Sequence, residues 1–149
     1  MIVADASFWV AAFVAQDAHH DQSARLLRRI VADDVPVSSP TLALVEVAGA
    51  LARRTGNQPL AESAIRYLAG QSWLTLSPLS ITFAETAVRV AITCSLRGAD
   101  AVYVALALQE SAPLITLDDE MRKRGAPAIL AITPADWLRQ NPGKSGSGA

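Results

Sequence analysis

Met1-Ile-Val-Ala-Asp5 opens the chain, and Ala6-Ser-Phe-Trp-Val-Ala-Ala-Phe-Val-Ala15 follows it directly. A short apolar run ended by an acid suits a buried strand over Ile2–Asp5, and the next stretch suits a helix over Ser7–Ala15. The alternation then repeats. Further strands are expected over Val35–Ser38, Trp73–Leu76, Leu114–Leu117 and, on a weaker pattern, Ala128–Ala131. Helices are expected over His20–Ala32, Thr41–Arg54, Leu60–Gly70, Ile81–Leu96, Ala99–Glu110, Asp119–Arg124 and Pro134–Arg139. Such alternation predicts an α/β fold, a three-layer α/β/α sandwich around a mainly parallel sheet. Two successive helices between the second and third strands depart from a simple βαβ repeat. Pro40 suits the start of its helix, and Gly56 and Gly70 suit the ends of theirs. Phe83, Ala87, Val90, Ala91 and Cys94 recur at helical spacing and should form one buried face.

The 149 residues suit one domain, expected over residues 1–140, with a sizeable core. Hydrophobic content of 51% and charged content of 18% describe a globular protein and exclude a disordered one. A net charge of −1 gives no overall basic footprint, so any nucleic-acid contact must be local. The lone Cys94 rules out an internal disulfide, suits a reducing compartment and reads best as a packed small residue. No secretory signal is apparent, since Asp5 interrupts the first apolar run, and no membrane contact is expected. A cytoplasmic location is expected. Residues 141–149 read as a flexible tail outside the fold.

Four acids stand almost alone in apolar surroundings. Glu46 is the only charge between Asp34 and Arg53, and Asp5 ends the opening run. Asp100 introduces Ala101-Val-Tyr-Val-Ala-Leu-Ala-Leu108, and Asp118 closes Leu114-Ile-Thr-Leu117. Taking one ion out of water costs several kcal/mol, against a domain stability of about 5–15 kcal/mol. Four separate burials would be hard to sustain, whereas a shared divalent cation would offset them together. Each acid also has a plain structural reading. Asp5 or Asp118 could cap a following helix. Asp100 could occupy a favourable first turn. Glu46, in a helix apolar on nearly every side, could be buried against an arginine such as Arg97. The four positions together favour a site.

Open parallel sheets place their sites beyond the carboxyl ends of the strands. Asp5 and Asp118 would end the first and fourth strands and face one crevice. Leu42, Glu46, Gly49 and Ala50 would share one helix face, from which the carboxylate can reach inward. Oxygen-only donors point to Mg2+ or Mn2+. Zinc is disfavoured, because His19 and His20 are adjacent and Cys94 is far off in sequence. The expected chemistry is metal-assisted phosphodiester hydrolysis.

Val3-Ala-Asp5-Ala-Ser7, Leu44-Val-Glu46-Val-Ala-Gly-Ala-Leu51, Leu96-Arg-Gly-Ala-Asp100-Ala-Val-Tyr-Val-Ala-Leu-Ala and Leu114-Ile-Thr116-Leu-Asp118 resemble the PIN domain. More narrowly, they resemble the VapC-type toxin ribonucleases of prokaryotic toxin–antitoxin pairs, in order and spacing from residue 1 to about 138. The resemblance maps the catalytic, metal-holding acids of that family onto Asp5, Glu46, Asp100 and Asp118. It maps the hydroxyl positions near the metal onto Ser7 and Thr116. It implies a Mg2+- or Mn2+-dependent endoribonuclease cutting single-stranded RNA, often in structured RNAs such as tRNA. A homodimer and a cognate antitoxin that blocks the site are implied as well.

Taken alone, Ser7 reads most simply as a helix cap, and Thr116 is explained equally well by β-propensity. Arg25, Arg28 and Arg29 form a basic cluster, and Arg53 and Arg54 suit a helix end. Arg97 is the best cation for an RNA phosphate or a site acid. His19 and His20 suit a local surface role. Trp9 and Phe13, four apart, could pack in the core. A non-catalytic binding module of the same fold would be expected to have lost one or more acids, and none is missing. A phosphoacceptor signalling domain would want paired acids at the first strand and a lysine at a late strand end. Lys123 and Lys144 are the only lysines, and neither is placed that way.

Overall fold

Ile2–Ala4 (β1) is buried along its whole length and pairs in parallel with Val37–Pro40 (β2) on one side and Leu114–Ile115 (β4) on the other. Leu74–Ser77 (β3) and Ala131–Ile132 (β5) complete a sheet of order β3-β2-β1-β4-β5, parallel throughout. The structure is a computed structural model and describes residues 1–143. The chain moves outward from β1 to β3, then returns to the other side of β1 for β4. That reversal opens a crevice beyond the carboxyl ends of β1 and β4.

The period of two along β1 sorts the core. Ile2 and Ala4 face a cluster built by Ala6–Phe13 (α1), His20–Asp33 (α2), Leu42–Thr55 (α3), Gln58–Ala69 (α4) and Pro134–Gln140 (α8). Val3 faces the opposite cluster of Ile81–Cys94 (α5) and Gly98–Glu110 (α6), closed below by Met121 of Asp119–Gly125 (α7). The result is three layers. Among the described residues, no single helix is long and apolar enough to cross a membrane.

Local chemistry sets the helix starts. Asp5 caps α1, Asn57 caps α4, Ser80 caps α5 and Asp118 caps α7, each side chain accepting a first-turn N–H. Thr133 and Asp136 form a reciprocal capping box at α8. Gly56 ends α3 at φ 63°, a conformation suited to glycine. Trp9 is fully buried; its indole N–H donates to Ser39 Oγ at 3.2 Å, and Ser39 donates to the Ala4 carbonyl at 2.7 Å. Burial of this ring therefore leaves no polar atom stranded.

Several boundaries differ from the sequence reading. The second strand lies two residues later than expected, so Pro40 ends β2 instead of opening a helix. Pro40 lacks an N–H, yet Thr41 N donates to the Ser77 carbonyl at 2.9 Å and continues the ladder. The fifth strand is short and shifted to Ala131–Ile132. Helix α3 is buried only at Ala43, Val47 and Leu51, while Val45 is 71% exposed, so its apolar composition does not enclose it. The expected face of α5 is present, with Phe83, Ala87 and Val90 buried and Ala91 and Cys94 at its margin. Of the tail expected over 141–149, residues 144–149 lie outside the described residues. Within it, the Asn141 carbonyl accepts from Arg29 at 3.3 Å.

Candidate active site

Asp5 follows β1 directly and is 3% exposed. One carboxylate oxygen accepts from Ser7 Oγ at 2.6 Å and from Phe8 N at 3.1 Å, and the other accepts from Thr116 Oγ1 at 2.7 Å. Burial pushes the Asp5 carboxyl up to about 6. The three hydrogen bonds pull it down only in part, and the nearby Asp118 charge adds to the rise. Ser7 is not itself the cap of α1. Asp5 takes that role, while the Ser7 hydroxyl joins Asp5 to Leu117 N, 2.9 Å away. Thr116, fully buried, donates to Asp5 and accepts from Asp118 N at 3.0 Å. The loops after β1 and β4 are thus tied across the crevice.

Asp118 caps α7 through Met121 N at 2.8 Å with one oxygen. Its other oxygen lies 3.5 Å from the guanidinium of Arg97, which also holds Asp100 at 3.0 Å. The Asp100 and Asp118 side chains are 14% and 29% exposed, and Arg97 is 71% exposed. Arg97 therefore clamps two acids at the rim, with its own far side in solvent. It does not reach Glu46 as the sequence suggested.

The partner of Glu46 is Tyr103, whose phenol donates to Glu46 Oε2. Tyr103 is 2% exposed on α6. Burial first, then the hydrogen bond and charge of Glu46, drive its phenol well above the ordinary range, and Asp5 adds to the rise. Tyr103 thus lies within reach of two acid charges. Glu46 is half-buried, not enclosed. The sequence reading passed over Tyr103, although a signal was present: one hydroxyl in an otherwise apolar helix, three residues after Asp100, must find a partner when buried. Of the four acids, then, only Asp5 is fully buried. Asp100, Asp118 and Asp5 are linked through Arg97 and Thr116, and Glu46 reaches the same region through Tyr103.

Among the described residues, no three Asp, Glu, His or Cys side chains stand together as a ready-made metal cage. The pairings give the reason, because Arg97 spans Asp100 and Asp118 while Glu46 is turned to Tyr103. The donors nevertheless suit a hard divalent cation in chemistry. All are carboxylate oxygens, and the raised Asp5 carboxyl is under-compensated by its hydrogen bonds alone. His19 and His20 take no part in this network; the His20 Nδ1 lies 2.9 Å from the Ala11 carbonyl.

The PIN domain profile matches residues 2–127, which include all four acids and both hydroxyls. The chain belongs to the PIN domain family. Solved structures with this fold include Mycobacterium tuberculosis VapC20, described as a sarcin-ricin loop cleaving toxin, at 22% identity and TM-score 0.72, covering 90% of this chain and 100% of that one. FitAcB from Neisseria gonorrhoeae is similar at 15% identity and TM-score 0.68, covering 91% of this chain and 99% of that one. VapBC2 from Rickettsia felis, bound to a DNA fragment from its promoter, matches at 15% identity and TM-score 0.67, covering 89% of this chain and 98% of that one. No curated protein sequence matches the chain. At such identities the structural likenesses establish the shared PIN fold.

Proposed function

We propose that this PIN domain is a divalent-metal-dependent endoribonuclease that hydrolyses single-stranded RNA as the toxin of a toxin–antitoxin pair. The carrying observation is Asp5, buried at the switch point of the sheet and bound by Ser7, Phe8 N and Thr116, next to the Asp100–Arg97–Asp118 bridge. Burial pushes this carboxyl up to about 6, a perturbation of the kind that clusters at functional sites. Structural neighbours described as a sarcin-ricin loop cleaving toxin and as a toxin–antitoxin complex from Klebsiella pneumoniae support the substrate class and the antitoxin partner.

In this reading Asp5, Asp100, Asp118 and Glu46 would hold Mg2+ or Mn2+. When bound, the cation would help deprotonate water and stabilise charge at the phosphate. The chain's own groups do the rest. Ser7 and Thr116 fix the Asp5 rotamer, and Tyr103 orients Glu46. Arg97 is released from the two acids and turns to an RNA phosphate. Hydrolysis joins the oxygen of water to phosphorus and breaks one P–O bond. The Ser7 hydroxyl, committed to Asp5 and Leu117 N, is not a nucleophile. Ile81, Val88 and Ile92, 82%, 56% and 74% exposed on one face of α5, support a homodimer.

The test is cleavage of labelled single-stranded RNA and matched DNA with Mg2+, Mn2+ or chelator, with Asp5→Asn and Asp100→Asn as controls. Metal-dependent RNA cutting that both substitutions abolish supports the reading. The Arg97 clamp on Asp100 and Asp118 favours a second one, a non-catalytic PIN module that binds RNA or protein. Folded, metal-saturated, antitoxin-free protein that cuts no RNA in a broad pool would favour it.

A further inference from the structure

A cleft of about 600 Å³ runs from the candidate site along α3, with Ser7 and Leu117 on one wall and Glu46, Gly49 and Arg53 on the other. Glu46, Gly49 and Arg53 succeed one another at spacings of three and four and so share a face of the helix. Gly49 has no side chain, and the Arg53 guanidinium folds back over it: a Cβ there would lie 3.3 Å from Arg53 Nη1. The cationic head is thereby brought about one helical turn, roughly 5 Å along the axis, closer to Glu46 than its own backbone.

Two arginines line this cleft, and they differ in what they already hold. Arg54 pairs with Asp17 at 2.8 Å. Arg53 is exposed and makes no ion pair among the described residues. A chain of net charge −1 must draw RNA by local charge, and Arg53 supplies it in the groove that leads to the acids. We infer that this cleft seats the RNA strand on one side of the scissile bond, with Arg53 binding a flanking phosphate. Gly49 is the gap that lets the guanidinium lie along the strand's path. Arg53 is a positioning residue and has no part in the bond-breaking step.

This assignment rests on the ribonuclease reading, and its test separates the two. A fluorescent single-stranded RNA of mixed sequence is titrated with the full chain in chelator, so that no strand is cut, over a range of salt concentrations. Arg53→Ala is expected to weaken binding about tenfold and to reduce the slope of log affinity against log salt by about 0.7, the share of one phosphate contact. Arg28→Ala, an equal charge change on α2 away from the cleft, is expected to change affinity less than about twofold. Arg53→Lys should keep the slope and lose part of the affinity, because the point charge remains without the planar fork. Unchanged affinity and slope in Arg53→Ala, or equal losses in Arg53→Ala and Arg28→Ala, overturns the assignment while leaving the ribonuclease reading in place. Failure of the folded parent chain to bind RNA at any salt in chelator also overturns the assignment, and cleavage with Mg2+ or Mn2+ then decides the ribonuclease reading separately.

Discussion

Thr116 Oγ1 stands 2.7 Å from Asp5 Oδ2, joining the ends of two adjacent strands that are 111 residues apart in sequence. The same hydroxyl oxygen accepts from Asp118 N at 3.0 Å. Its proton is therefore committed to Asp5, and its lone pair positions the start of α7. One buried side chain thus opposes part of the rise that burial imposes on the Asp5 carboxyl and also fixes the place of Asp118.

Thr116→Val, which keeps the shape and removes the hydroxyl, is predicted to destabilise the chain by about 1–3 kcal/mol. It should also move the Asp5 carboxyl further upward, since the Thr116 bond holds it down. Thr116→Ser should restore most of both. Urea unfolding of the three proteins at neutral pH decides the matter, and a valine variant as stable as the parent would refute it.

Asp5 predicts an inverted pH dependence. Folded, its carboxyl keeps its proton to about pH 6; unfolded, it releases it near 3.8. Between those values the folded state binds more protons, so its stability falls as pH rises through that window. A difference of that size corresponds to about 3 kcal/mol. Asp5→Asn should therefore be more stable than the parent at pH 7.5 in chelator, with the advantage vanishing towards pH 4. The quantity to follow is the stability difference between the two proteins across pH. A flat difference would show that Asp5 does not titrate in this range.

Arg97 competes with any cation for Asp100 and Asp118. Removing it should tighten Mn2+ binding, on the order of tenfold if two exposed ion pairs are relieved. Isothermal titration calorimetry of Arg97→Ala reads this directly and independently of cleavage. Weaker or unchanged Mn2+ affinity would mean that Arg97 does not occupy the cation's place.

Tyr103 and Glu46 should behave as one unit. Tyr103→Phe leaves Glu46 half-buried without its donor and is predicted to cost about 1–2 kcal/mol. Glu46→Gln, which keeps an acceptor, should cost less. A double-mutant cycle is expected to give a coupling near 1 kcal/mol, and strict additivity would argue that the contact carries no energy.

The sequence by itself determined the elements and the acids. Apolar runs of strand length, helix caps such as Asp118, and terminators such as Gly56 are local signals. They place most helices within a residue or two. Asp5, Glu46, Asp100 and Asp118 stood out because charge in apolar sequence is costly wherever it falls. The partners were decided only by tertiary structure. Nothing local in Glu46 selects Tyr103 over Arg97, because that choice depends on how the fold brings a side chain of α3 and one of α6, helices packed mainly in opposite core clusters, within hydrogen-bond reach. Nor does an apolar α3 reveal that Val45 lies open while Val47 is buried. The shift of β2 to Val37–Pro40 was likewise set by its parallel register with β1 and β3. Pairing across the sheet, not propensity along the chain, chose which residues of that run became strand.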